Sequence, residues 1–116
     1  MTLDEIARRL ALENLTPEVA SGAAEITTGF ASDLLSDVLA NAPSGGVLIT
    51  VQVHLNVVAV AVHADVAAVV FAAGRRPEES VRAKAAQEGI ALLASTEPAF
   101  EVVGRLYAMG IRGRHA

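Results

Sequence analysis

The run Val47-Leu48-Ile49-Thr50-Val51 constrains the fold more than any other part of this chain. It has no polar alternation, so both of its faces must be buried. Strands of that kind belong to parallel sheets covered by helices on each side. A second such run follows at Ala67 to Ala72 and a third at Ile90 to Ala94. Parallel neighbours need a crossover of a dozen or so residues between them, which decides the ambiguous segment Leu55 to Ala64. Val57-Val58-Ala59-Val60-Ala61-Val62 has strand propensity, but its position between two parallel strands predicts a short helix, apolar all round and therefore buried.

The other elements follow from caps, period and breakers. Thr2 and Glu5 have capping-box spacing, and Leu3, Ile6, Ala7 and Leu10 then share one helical face, with Arg8 and Arg9 outside it. The polar stretch Glu13 to Glu18, with Pro17 inside it, ends that helix. Glu25 to Phe30 reads as a strand. Ser32-Asp33 reads as a helix start, with Leu34, Leu35, Val38 and Leu39 as the apolar face, and Asn41 to Gly46 as the turn that closes it. Gly74-Arg75-Arg76-Pro77 is a turn with Pro77 suited to the first helical position. Val81, Ala85 and Ala86 form the next helix face up to Gly89. The last helix is expected to turn Phe100, Val103, Leu106 and Tyr107 inward. Strand and helix alternate from Glu25 onward, which predicts an α/β domain of three layers: a mainly parallel sheet of four to five strands with helices on both faces. Residues 1–110 form a single domain in this reading, and residues 111–116 a loose C-terminal tail.

Composition narrows the function. A length of 116 residues suits one core. Apolar residues make up 53% of it, mostly Ala and Val, which is more than so small a monomer can hide, and this points to a homodimer. With 13 acidic and 9 basic residues the net charge is −4, which argues against nucleic acid. Cysteine is absent, excluding thiolate catalysis and zinc–thiolate sites. The start Met1-Thr2-Leu3-Asp4-Glu5 lacks the basic and apolar regions of a signal peptide, so a cytoplasmic location is expected. Gln52, His54, Asn56, His63 and Asp65 interrupt the apolar stretch Val47 to Ala73, so no membrane span is expected.

Ligands of open parallel sheets bind beyond the carboxyl ends of the strands. Several of the chain's uncharged polar residues fall there. Ser32 and Asp33 follow the first strand, and Thr50 ends the second, with Gln52, His54 and Asn56 after it. Gly74, Arg75 and Arg76 follow the third, and Ser95 and Thr96 the fourth. These are the candidate ligand-binding residues, suited to a small polar, anionic or nucleotide-like ligand. Each has a plainer role as well: His54, Ser32 and Ser95 as hydrogen-bonded caps, the arginines as solvated turn residues, and His63 and Asp65 as loop polar groups. Neither G-x-x-x-x-G-K-[ST] nor G-x-G-x-x-G after a strand is present, nor H-E-x-x-H. No catalytic residues, metal ligands or cofactor are assigned. The enzyme alternative is a small phosphotransferase or hydrolase using His54 and Asp33.

Three segments carry a family resemblance: Thr27-Thr28-Gly29-Phe30-Ala31-Ser32-Asp33-Leu34-Leu35-Ser36-Asp37-Val38-Leu39, Thr50-Val51-Gln52-Val53-His54-Leu55-Asn56-Val57-Val58-Ala59-Val60-Ala61, and Gly74-Arg75-Arg76-Pro77. In order and spacing the chain resembles small single-domain members of the DRTGG-domain family. Such domains occur alone or joined to CBS pairs, phosphotransacetylases and other enzymes, and are similar to the N-terminal domain of HPr kinase/phosphorylase. The resemblance implies a parallel α/β fold and a regulatory, ligand-sensing or protein-interaction role without catalysis, since the kinase chemistry of that relative belongs to a separate P-loop domain. A pure assembly domain without ligand is the further alternative. The residues that name the family are largely replaced: Ala72-Ala73-Gly74 stands where a Thr-Gly-Gly-like turn is expected, and no Asp-Arg pair occurs around Gln52 to Asn56.

Overall fold

In the computed structural model, which describes residues 1–113, the chain begins with helix α1 (Leu3–Arg9). Both halves of the capping box form, the Glu5 N–H donating to Thr2 Oγ1 and the Thr2 N–H to the Glu5 carboxylate. Two short strands follow, β1 (Glu13–Asn14) and β2 (Gly29–Ala31), then α2 (Leu35–Asn41), β3 (Val47–Thr50) and α3 (Asn56–Ala64). The chain ends with β4 (Ala68–Phe71), α4 (Glu79–Glu88), β5 (Ala91–Ala94) and α5 (Ala99–Ala108). The five strands form one sheet in the order β1-β5-β4-β3-β2. Strands β2 to β5 are parallel, and β1 closes the far edge antiparallel to β5. The three-layer α/β architecture expected from the sequence is the one observed.

Register divides the core in two. Val47, Ala68 and Ala91 stand in one cross-strand row and Ile49, Val70 and Leu93 two residues on, all facing α1 and α5. The alternate residues Leu48, Val69 and Leu92, and then Phe71 and Ala94, face α2, α3 and α4. Every residue of β3, β4 and β5 is buried, as the apolar runs required. The placement of helices follows from strand order. The crossovers β2→β3→β4→β5 all step the same way across the sheet. Right-handed crossovers that never reverse direction must lay their helices on one face, and Val38, Val57, Val58, Ala61, Val81 and Ala85 accordingly share one core.

Several sequence expectations are corrected. The strand expected over Glu25 to Phe30 is regular only at Gly29–Ala31. The chain just before it pairs with the N-terminus instead, the Leu3 N–H donating to Ala24 and the Ile26 N–H to Met1. Helix α2 starts at Leu35 rather than at Ser32-Asp33, and only Val38 of its expected apolar face is fully buried; Leu34 and Leu39 are exposed. Two turns of helix offer the sheet one inward position. The α3 segment is a helix, as its spacing predicted, but it is buried on one side only, with Val62 exposed on the other. Pro77 lies outside α4, which is capped by Glu78. In α5 the inward residues are Val102 and Leu106, while Phe100, Val103 and Tyr107 point outward. Two apolar stripes overlap on this helix, and the Ala99–Val102–Leu106–Met109 stripe is the one laid against the sheet. The tail expected from residue 111 is ordered at its start: Ile111 is buried and Arg112 pairs with Thr28. Its last residues, 114–116, lie outside the described residues.

Candidate functional site

The parallel pairing brings all the candidate residues to one edge of the sheet, but into two groups. The first lies over β2 and β3. Asp33 Oδ1 accepts from Thr50 Oγ1 at 2.9 Å and from the Val51 N–H at 2.8 Å, tying the two loops together. From Thr50 onward each side chain accepts the amide two residues ahead. Thr50 Oγ1 takes Gln52 N–H at 3.0 Å, Gln52 Oε1 takes His54 N–H at 3.1 Å, and His54 Nδ1 takes Asn56 N–H at 3.0 Å. Ser32 does the same for Leu34 and Ser95 for Glu97. Side-chain acceptors of this kind fold a chain into tight turns, which explains why these residue types gather at strand ends. His54 uses Nδ1 as an acceptor, so a neutral ring carries its proton on Nε2. No hydrogen bond or ion pair joins His54 to Asp33 among the described residues. His63 and Asp65 lie at the far end of α3, where Asp65 is its left-handed C-cap and accepts from the Ser44 hydroxyl.

The second group lies over β4 and β5, where the topology opens a crevice. After β4 the chain turns to the face carrying α4, whereas after β5 it turns to the face carrying α5. Adjacent parallel strands whose exits diverge define a topological switch point, the place where open α/β sheets take ligands. A cleft of about 190 Å³, open to solvent, lies there, lined by Gly74, Arg76, Ser95 and Thr96 together with Ala11 and Glu13. Two hydrogen bonds tie its opposing loops. The Ala73 N–H donates to the Glu97 carbonyl at 2.7 Å and the Gly74 N–H to the Ser95 carbonyl at 2.9 Å. To make them, Ala73 (φ 60°) and Gly74 (φ 70°) adopt successive left-handed conformations, which costs about 1 kcal/mol at the alanine.

Of the two neighbouring arginines after β4, Arg76 lines this cleft. Arg76 forks onto Glu13, Nη1 to Oε1 at 2.7 Å and Nη2 to Oε2 at 2.8 Å. That hydrogen bonding holds the Glu13 carboxyl below the ordinary glutamate value and raises Arg76. The Arg75 side chain is exposed and has no hydrogen bond or ion pair among the described residues. Glu13 and Ala11 were not legible as lining residues of the cleft, because Glu13 lies in a two-residue edge strand with both side chains exposed and Ala11 in the turn before it. A carboxyl held low in the folded chain favours folding at pH above its unfolded value, and ceases to as pH falls through the folded one. The Glu13 carboxylate is therefore expected to titrate by NMR below 4.5 and to move up in R76Q. An unchanged midpoint in R76Q would show the ion pair absent in solution.

Among the described residues, no three His, Asp or Glu side chains gather as a metal-binding set, and no helix is long and apolar enough to cross a membrane.

Unidirectional crossovers, a switch point at β4 and β5, and an antiparallel edge strand describe a small α/β domain of DRTGG-like fold. The chain is similar in structure to the CBS and DRTGG domains of the regulatory region of Clostridium perfringens pyrophosphatase, a structure complexed with the activator diadenosine tetraphosphate. The match has a TM-score of 0.75 at 14% sequence identity, and covers 95% of this chain and 47% of that one. This chain thus spans about half the length of that neighbour. No family model and no curated protein matches the sequence.

Proposed function

We propose that this chain is a regulatory module that binds a small anionic, nucleotide-like ligand at the carboxyl ends of its strands and performs no catalytic step. The observation that carries the reading is the switch-point cleft over β4 and β5, whose lining includes Gly74 and Arg76 with Arg75 between them in the chain, in a fold shared along 95% of the chain with a pyrophosphatase regulatory region. That neighbour's structure contains a dinucleoside polyphosphate activator, and polyphosphates are recognised by arginine and by loop amides at such edges. In this reading Gly74, Arg75, Ser95 and Thr96 hold phosphate. The second group (Ser32, Asp33, Thr50, Gln52, His54 and Asn56) forms the adjoining rim. There His54 Nε2 and the Asn56 side chain are left for the ligand, because the bonds described above use their other atoms or none.

The test is a thermal-shift titration with diadenosine tetraphosphate, ATP and inorganic pyrophosphate. A ligand bound only by the native state at 100 times its Kd adds about 2.7 kcal/mol, which raises the melting temperature by about 10 °C in a domain of this size. R75A is expected to keep the melting temperature of the free protein and to lose most of that shift, and the nucleotides are expected to be recovered intact. Absence of a shift with all three at millimolar concentration would discard the ligand and leave an assembly role. Turnover that is lost on replacing His54 would instead establish the enzyme alternative.

A further inference from the structure

We infer that the outer face of α5 is the contact by which two copies of this chain associate. The chain has four phenylalanine and tyrosine rings; in a core built mostly of Val, Leu, Ile and Ala only Phe71 is fully buried, while Phe30 packs partly buried against it. Helix α5 carries two of the others on its outer side, Phe100 at 86% exposure and Tyr107 at 57%. At about 100° per residue, Val103, Tyr107, Phe100, Gly104 and Ala108 occupy one arc of about 140° that holds no charged side chain. All five are exposed. On one flank the arc continues into an apolar groove against β2, lined by Gly29, Ile49, Leu106 and Ile111 among others.

Gly104 provides an independent observation. It lies in the middle of a ten-residue helix, where glycine is the poorest choice short of proline. Within the monomer nothing requires it, since a Cβ built there meets no atom within 4 Å. A glycine with open space above it, one turn from an exposed phenylalanine and four residues before Ala108, is a hollow beside a knob. A two-fold contact needs both on the same patch, because each copy must supply what the other receives. With two α5 helices crossing antiparallel at Gly104, Phe100 of each copy lies opposite Ala108 of the other and its ring enters the hollow. Tyr107 is already held for contact, with the Arg112 guanidinium 3.8 Å from its ring centroid and donating to its carbonyl.

The area suits a modest dimer. Taking about 200 Å² for a fully open aromatic side chain, Phe100 and Tyr107 expose about 290 Å² per copy. A stable dimer hides about 800 Å² per partner. Val103, Gly104, Ala108 and the groove rim supply the remainder in part, so the dissociation constant is expected in the micromolar range. This contact also accounts for the apolar excess of the sequence, and it is separate from the cleft over β4 and β5.

Sedimentation velocity over about 1 to 500 µM tests it, since that range brackets micromolar affinity. The wild type is expected to pass from monomer to dimer. G104Q is expected to weaken association at least about tenfold, while its helix content is kept and its melting temperature at 1 µM is no lower, because the monomer has room for the side chain. F100E is expected to stay monomeric and folded. A wild type that is monomeric throughout overturns the inference and leaves the face to a different partner. So does a dimer unaffected by both substitutions, which moves the contact elsewhere, for example to the exposed leucines Leu34 and Leu39. If G104Q fails to fold, the glycine serves the monomer, and F100E decides the contact alone.

Discussion

Phe71→Ala is expected to destabilise the fold by about 3–5 kcal/mol, the usual loss when a phenylalanine is removed from a packed core. Phe71 is the largest fully buried side chain among the described residues. It projects from the last position of β4 into the core beneath α2, α3 and α4. Its neighbours there are mostly valine, leucine and alanine, which are too short to swing into the space left behind. Domains of this size hold about 5–15 kcal/mol in total, so the variant is expected to be largely unfolded at moderate urea. The comparison is Phe100→Ala, which removes the same atoms from an exposed position and is expected to change stability by no more than about 0.5 kcal/mol in dilute solution. Urea unfolding of the two variants at low micromolar protein measures the difference. Equal losses would mean that α5 is packed the other way round, as the sequence suggested.

Thr16→Val is the second large effect, and it arises from a residue the sequence did not single out. Thr16 is fully buried, and its Oγ1 accepts the Leu92 N–H at 3.0 Å. Its own N–H is taken by Asn14 Oδ1 at 3.0 Å. Valine keeps the shape of threonine and removes the acceptor, leaving a buried amide on β5 without a partner. Such a group costs about 1–3 kcal/mol. Thr16→Ser keeps the oxygen and is expected to lose less. Hydrogen exchange at Leu92 distinguishes the cause. It should accelerate in Thr16→Val beyond the change in global stability and follow global stability in Thr16→Ser. If both variants exchange Leu92 alike, the bond contributes nothing.

Both expectations depend on facts that the sequence holds unevenly. The interior strands were legible because Val47 to Thr50, Ala68 to Phe71 and Ala91 to Ala94 are buried on both faces, and only an unbroken apolar run satisfies that. The first helix was legible because Thr2 and Glu5 act within one turn of each other. Gly89 was legible as a stop because it takes the left-handed C-cap at φ 75°. The candidate residues lie in the loops that follow the parallel strands. Their polarity was read both as a sign of ligand binding and, at His54, Ser32 and Ser95, as local capping, and Ser32, Thr50, Gln52, His54 and Ser95 do make local turn bonds. Glu13 was missed because its role comes from Arg76, 63 residues away.

The sequence by itself determined the three interior strands and the five helices, and that the sheet is mainly parallel. Capping, period and two-sided burial act over a few residues, and each leaves its mark there. Only the tertiary structure decided the order of the strands, the side of the sheet each helix covers and the inward face of α5. An alternation of strand and helix is the same string whether crossovers step one way or reverse, and an α5 with two apolar stripes can dock by either. Long-range pairing between β1 and β5 and the packing of α5 against α1 and the sheet resolved both. Those same choices opened the cleft at β4 and β5 and left Phe100 and Tyr107 facing outward.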